Sequence, residues 1–193
     1  MKVVIIKYND GNIQSVKIAL QRLKIDPLIT DDRELISDAD HIIFPGVGEA
    51  SSAMAFLKKK ELDLLLQNLD KPLLGICLGL QLLCKRSEEN NTRCLGIFDT
   101  SVHRFPDQLK VPHMGWNTIN NLKGPLFKNI SDGSYMYFVH SYYAEIHEQT
   151  IAVTDYMLPF SSALQHDYYF SVQFHPEKSG EVGEKILKNF LMI

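Results

Sequence analysis

No stretch of this sequence approaches the roughly 20 consecutive apolar residues that a bilayer-spanning helix needs, so no membrane-crossing helix is predicted. Cysteine is scarce. There are three, an odd number, and none stands in a C-x-x-C pair. A disulfide framework or a zinc site is therefore not expected, and a reducing cytoplasm fits best. Positive charge is not in excess either. The 20 Lys and Arg against 23 Asp and Glu leave a net charge of −3, which gives no electrostatic case for nucleic acid. Neither a G-x-G-x-x-G series nor a Gly-Lys-Ser/Thr loop occurs, which removes the dinucleotide and P-loop readings. Repeats, linkers and low-complexity segments are lacking, and Lys2-Val3-Val4-Ile5-Ile6 reads as a strand rather than as a signal peptide. What remains is a chain of 193 residues, 45% hydrophobic and 22% charged. That is ordinary for one α/β domain over 1–193, with no metal or cofactor expected.

The stretch that organises the chain is Leu73-Leu74-Gly75-Ile76-Cys77-Leu78-Gly79-Leu80-Gln81. Its first four residues read as a buried strand, and from Leu78 onward the apolar spacing is that of a helix; if that helix runs on to Cys84, about two turns separate the two sulfurs, too far for a bridge. Gly75 and Gly79 flank Cys77 at −2 and +2, the strand–elbow–helix pattern with Cys as nucleophile. Residues without Cβ are needed where helix and strand approach this closely. The first-turn N–H groups of the helix favour negative charge at the sulfur. A small buried cysteine in an ordinary βα turn is the competing reading.

Before this elbow the chain alternates strand and helix. Strands are predicted at 2–8, 27–30 and 41–44. Helices are predicted from Ile13, with Asn12 as N-cap and Ile13, Val16, Leu20 and Leu23 inward, and at 32–37, 49–60 and 61–69. Such alternation is the signature of a mainly parallel sheet with helices on both faces. The strand at 41–44 ends in Pro45-Gly46-Val47-Gly48, whose peptide N–H groups could turn toward Cys77. After residue 94 the texture changes to strand-like runs at 98–105, 110–120, 135–145, 151–155, 161–165 and 169–174, some of which are read as antiparallel additions to the sheet. A helix at 179–192 closes the chain.

Near the C-terminus stands Gln173-Phe174-His175-Pro176-Glu177-Lys178. Proline keeps His175 out of the helical region. In an extended chain residues i and i+2 face the same way, so Glu177 can orient His175 as the third member of a triad orients its base.

These residues carry a resemblance. Gly75-Ile76-Cys77-Leu78-Gly79-Leu80-Gln81 with Phe174-His175-Pro176-Glu177 is similar to the triad-type, class I glutamine amidotransferases. The Pro45–Gly48 turn, Ser87-Glu88-Glu89, Val111-Pro112-His113-Met114-Gly115-Trp116-Asn117 and His175-Pro176-Glu177-Lys178-Ser179-Gly180 further resemble the glutaminase subunits of imidazole glycerol phosphate synthase. The resemblance implies a flavodoxin-like α/β fold. It implies Cys77 as nucleophile, His175 as base and then acid, and Glu177 as orienter. Leu78 and the Gly46-Val47-Gly48 peptide would supply the oxyanion hole, and Gln81, Glu89, Ser141 and Tyr142 would hold glutamine. It also implies a heterodimer with a β/α-barrel cyclase of histidine biosynthesis, docked over Asn12, Trp116, Asn117 and Lys178. A flip in the glycine turn would gate the oxyanion hole. Two other amidotransferase readings stand beside it, a subunit of a chorismate-using synthase and a surface-sugar paralogue. A binding module that kept the fold without the chemistry is the alternative from another class.

Overall fold

The computed structural model describes residues 1–8 and 12–193; the sequence Asn9-Asp10-Gly11-Asn12 reads as a turn ahead of the first helix, and of it only Asn12 lies among the described residues. The N-terminal half alternates as the sequence predicts: β1 (Val3–Ile6), α1 (Ile13–Arg22), β2 (Leu28–Thr30), α2 (Arg33–Ser37), β3 (His41–Gly46), α3 (Ala50–Lys59), α4 (Leu62–Gln67), β4 (Leu73–Cys77) and α5 (Leu78–Leu83). β1, β3 and β4 are buried along their whole length, as strands covered on both faces must be. Ile13, Val16, Ala19 and Leu20 form the inward stripe of α1, and Asp32 caps α2 by accepting from the Leu35 N–H at 3.0 Å.

The second half contributes β5 (Cys84–Ser87), β6 (Thr92–Arg93), β7 (Phe98–Arg104), β8 (His113–Ile119), β9 (Ser134–His140), β10 (Tyr142–Ala144), β11 (Thr150–Tyr156), β12 (Leu158–His166), β13 (Tyr169–Val172) and α6 (Gly180–Phe190). Among the described residues the main sheet runs β2-β1-β3-β4-β13-β12-β10-β7-β5-β6, with β11 beside β12; β8 and β9 pair apart as a two-stranded sheet. β2, β1, β3, β4 and β13 are parallel to one another, and the antiparallel additions begin at β12. One core, with α1, α6 and the inner side of β8–β9, covers one face of the sheet. The other core holds the buried residues of α2, α3, α4 and α5.

The structure departs from the sequence reading at three places. The elbow helix does not reach Cys84; α5 ends at Leu83 and Cys84 begins β5. The carbonyls of Leu82, Leu83 and Cys84 accept from the N–H groups of Leu95, Ile97 and Gly96, so the returning chain replaces the next helical turn. β5 and β6 lacked a sequence signal because Lys85, Arg86 and Arg93 are exposed and break any apolar alternation. The predicted strand at 135–145 is two strands: β9 pairs with β8, whereas β10 joins β7 and β12 in the main sheet. The change of sheet falls at Ser141.

Candidate active site

The carboxyl ends of β3, β4 and β13 converge, the place where parallel α/β sheets bind ligands. β4 and β13 pair in parallel, with Val172 opposite Ile76, and Gly46 at the end of β3 pairs with Cys77. Residues 98 positions apart in sequence, Cys77 and His175, thereby line one cleft of about 310 Å³. Its walls hold Val47, Gly48, Leu78, Gln81, Glu89, Ser141 and Tyr142 from the predicted set, together with Pro112, Val139 and His140.

Cys77 carries the strain of the elbow, with φ 56° and ψ −109°. A non-glycine residue held there costs on the order of 1–3 kcal/mol. The flanking glycines serve space rather than conformation. A Cβ on Gly79 would lie 2.0 Å from the Phe44 carbonyl oxygen, and one on Gly75 would lie 2.7 Å from Leu83 Cδ1. In the neighbouring turn the two glycines differ. Gly48 has φ 99°, so conformational freedom resides there. A Cβ on Gly46 would meet the Tyr8 hydroxyl at 1.8 Å and Leu78 Cβ at 2.9 Å, so close packing excludes a side chain. Tyr8 is buried behind this turn, and burial first, then the nearby Cys77 sulfur, push its phenol well above the ordinary range.

The His-Pro-Glu segment meets the expected relation by a different route. His175 is extended, but Pro176–Lys178 form a 3₁₀ turn rather than continuing the strand. That turn folds the Glu177 carboxylate back, and His175 Nδ1 donates to Glu177 Oε1 at 2.8 Å. Both side chains are almost wholly buried, at 1% and 0% exposure. Burial opposes charge on His175. The neighbouring Cys77 sulfur and the hydrogen-bonded, negatively charged Glu177 carboxylate outweigh it, so the imidazole pKa rises to about 10. With Nδ1 committed to Glu177, Nε2 is the nitrogen left to exchange a proton with the sulfur. Ser179 fastens the segment: its hydroxyl donates to the His175 carbonyl at 2.6 Å and accepts from the Tyr137 N–H at 3.0 Å.

Asn12 sits at the N-cap of α1 but makes no side-chain cap there. Its amide donates instead to Glu177 Oε1 at 2.6 Å, so two donors converge on that oxygen. Gln81 is a buried cleft residue rather than an exposed helix-end polar group. Its Nε2 donates to the Tyr142 carbonyl and to Gln173 Oε1, each at 3.1 Å, and Gln173 Nε2 in turn lies 3.7 Å from Cys77 Sγ. Glu89 accepts from the Ala50 N–H at 2.7 Å at the start of α3; burial raises its carboxyl pKa against that bond. Trp116 is 56% exposed and is no core residue. Lys178 is exposed as well. Asn117 is half-buried, and its amide donates to the Asp155 carbonyl at 2.9 Å.

Sequence reasoning missed Gln173, His140 and the triad contact of Asn12. For Gln173 a signal existed: it stands two residues before His175 in an extended run and so faces the same side. His140 carried none, since only the pairing of β8 with β9 brings it to the cleft wall.

A strained cysteine elbow with a carboxylate-backed imidazole, at the head of a mainly parallel sheet, defines a class of nucleophilic enzyme. Residues 5–193 match the family model for glutamine amidotransferase class-I, and the chain belongs to that family. Within the class, it is 56% identical to the imidazole glycerol phosphate synthase subunit HisH of Bacteroides fragilis, with 99% of both chains covered. It is 46% identical to the HisH subunit of Vibrio parahaemolyticus, over 98% of this chain and 97% of that one. The fold matches the structure of PurLQS from Thermotoga maritima with a TM-score of 0.75 at 15% identity, covering 99% of this chain and 97% of that one.

Proposed function

We propose that this chain is the glutaminase subunit of imidazole glycerol phosphate synthase, hydrolysing L-glutamine and delivering the ammonia to a cyclase subunit in histidine biosynthesis. The observation that carries the reading is the single cleft shared by Cys77, backed through His175 by Glu177, and the residues matched to glutamine binding. The full-length likeness to HisH subunits supports the particular pathway.

In this reading the Cys77 thiol passes its proton to His175 Nε2. The thiolate attacks the side-chain amide carbon of glutamine. The tetrahedral oxyanion is met by the Leu78 N–H and by an N–H of the Gly46-Val47-Gly48 turn, each contributing on the order of 3 kcal/mol. His175 then gives its proton to the departing nitrogen, the C–N bond breaks, and a glutamyl thioester remains. Neutral His175 next takes a proton from water, whose oxygen displaces the sulfur and releases glutamate. Glu177 holds the imidazole orientation and stabilises its charge throughout. Gln81, Glu89, Ser141 and Tyr142 hold the amino-acid head of glutamine. Thioester chemistry of this kind consumes no cofactor and needs no metal.

Ammonia released into water would be protonated and lose its nucleophilicity, so the acceptor subunit must cover the cleft. The exposed face of β8–β9 suits this docking. Met114 and Tyr135 are exposed there beside Trp116, which packs edge-on against Tyr137 with ring centroids 6.0 Å apart. This face also adjoins the triad, because the Tyr137 carbonyl accepts from the His175 N–H at 2.9 Å. Aromatic anchors of this type dominate interfaces. Lys178, next to Glu177, adds a charged contact, and Asn12 and Asn117 edge the same boundary. Among the described residues no helix is long and apolar enough to cross a membrane. The reading places the whole of 1–193, as one domain, in the cytoplasm. Co-purification with the cyclase followed by an ammonia assay tests it. Glutamine-dependent product formation by the pair is expected, and no ammonia in any combination would overturn it.

A further inference from the structure

One line of hydrogen bonds crosses the protein from the rim of β8 to the sulfur, and main-chain groups fix its direction at both ends. At the inner end, the Tyr142 carbonyl can only accept. It takes bonds from His140 Nδ1 at 2.7 Å and from Gln81 Nε2 at 3.1 Å. A neutral imidazole that donates from Nδ1 must accept at Nε2. His140 Nε2 lies 2.9 Å from His113 Nδ1, so His113 donates from Nδ1 and its own Nε2 must accept. Asn117 Nδ2 stands 3.3 Å from that nitrogen. The Asn117 amide cannot be reversed, because its Oδ1 accepts from the Thr118 N–H at 2.8 Å. One proton arrangement therefore satisfies the whole line.

The line continues past the carbonyl. Gln81 spends its two N–H bonds on Tyr142 and on Gln173 Oε1, which leaves Gln81 Oε1 to accept in the cleft. Gln173 Oε1 is occupied, so its Nε2 is the group facing Cys77 Sγ. Packing holds the imidazoles in place. His113 stacks between Tyr156 at 4.0 Å and Phe138 at 4.9 Å and pairs directly across the ladder with His140. Burial keeps both rings uncharged, lowering His113 to about 4 and His140 to about 3. A proton added to either would place two donors face to face.

We propose that Asn117, His113 and His140 form a positioning relay that fixes the Tyr142 carbonyl and, through it, the amides of Gln81 and Gln173 beside Cys77. This rests on the function proposed above. Asn117 directly follows Trp116, so the relay begins on the strand that carries the docking face and ends at the glutamine cleft. None of its three members needs to touch substrate. They act by setting which atom of Gln81 the substrate meets.

His113→Phe tests the relay, since phenylalanine keeps the stack between Tyr156 and Phe138 but removes the donor to His140. In the complex with the cyclase, the KM for glutamine is expected to rise about tenfold, the scale of one lost neutral hydrogen bond. The kcat is expected to change less than threefold, and ammonium-dependent turnover to stay unchanged. A variant that melts earlier but keeps the wild-type KM would make the histidines structural and overturn the relay. Nitrogen-15 NMR of the full chain gives a second measurement that needs neither the variant nor activity. Both imidazoles should be neutral Nδ1–H tautomers at pH 7. A proton on Nε2 of either ring would refute the arrangement even if glutamine hydrolysis stands. Should the wild-type pair release no ammonia, the functional reading falls and the tautomers still decide for or against the relay.

Discussion

Replacing Glu177 by glutamine removes one charge from the proposed Cys77–His175–Glu177 triad and almost no volume. In the native site Glu177 Oε1 accepts from His175 Nδ1 at 2.8 Å and from Asn12 at 2.6 Å. Charge centres about 4 Å apart attract by about 4 kcal/mol at an effective dielectric of 20, equivalent to about 10³-fold. The glutamine oxygen can still accept from both donors, so the fold should survive, but imidazolium loses its counter-charge. If the new amide turns over, its NH₂ faces Nδ1 and drives the proton to Nε2, which can then no longer take one from the sulfur. The glutamine kcat of the variant with cyclase present should fall 10³- to 10⁴-fold, as for the loss of a triad carboxylate elsewhere. Ammonium-dependent turnover should be unchanged.

The same change should flatten stability against pH. A histidine whose folded pKa lies above its unfolded value stabilises fully below the unfolded value, and that contribution is lost as pH rises through the folded value. For His175 the window runs from about 6.5 to about 10, with a slope of up to about 1.4 kcal/mol per pH unit. Urea titrations at pH 6, 8 and 10 would show this fall in the native chain and a shallower one in Glu177→Gln. A kcat within tenfold of native together with an unchanged pH slope would refute the reasoning and leave Glu177 a packing residue.

Cys77→Ser should abolish glutamine-dependent turnover and spare ammonium-dependent turnover, whereas Cys84→Ala, at a buried thiol away from the cleft, should leave glutamine turnover within about twofold; a complex assay with both nitrogen sources separates them. Gly79→Ala places a Cβ 2.0 Å from the Phe44 carbonyl oxygen, where backbone must give, and should destabilise by at least about 3 kcal/mol in urea; a loss under 1 kcal/mol would show the elbow to be looser than drawn. Trp116→Ala should weaken cyclase binding by about 2 kcal/mol, roughly 30-fold in Kd, without changing the melting temperature; unchanged affinity by calorimetry would move the docking face elsewhere. The chain alone should hydrolyse glutamine about 10²–10³-fold more slowly than with cyclase and its nucleotide ligand, the cost of one missing oxyanion donor; equal rates alone, with cyclase and with both would remove the gate at Val47–Gly48.

Local chemistry was legible in the sequence wherever a function is carried by neighbours along the chain. The spacing of Gly75, Cys77 and Gly79 specified the elbow, because sterics at a strand-to-helix turn act over five residues. His175-Pro176-Glu177 specified an imidazole with its carboxylate, although a 3₁₀ turn rather than an extended run brings them together. The apolar runs of β1, β3 and β4 announced a sheet covered on both faces. Tertiary structure alone decided which distant pieces share the cleft. Parallel pairing of β13 with β4 brings His175 to Cys77, and the change of sheet at Ser141 puts Tyr142 on the wall. Only the fold turns Asn12 from a helix cap into a donor to Glu177, since the competing acceptor lies 165 residues away. The two buried histidines became partners through a strand register, and a register is a property of two strands that neither one's sequence contains.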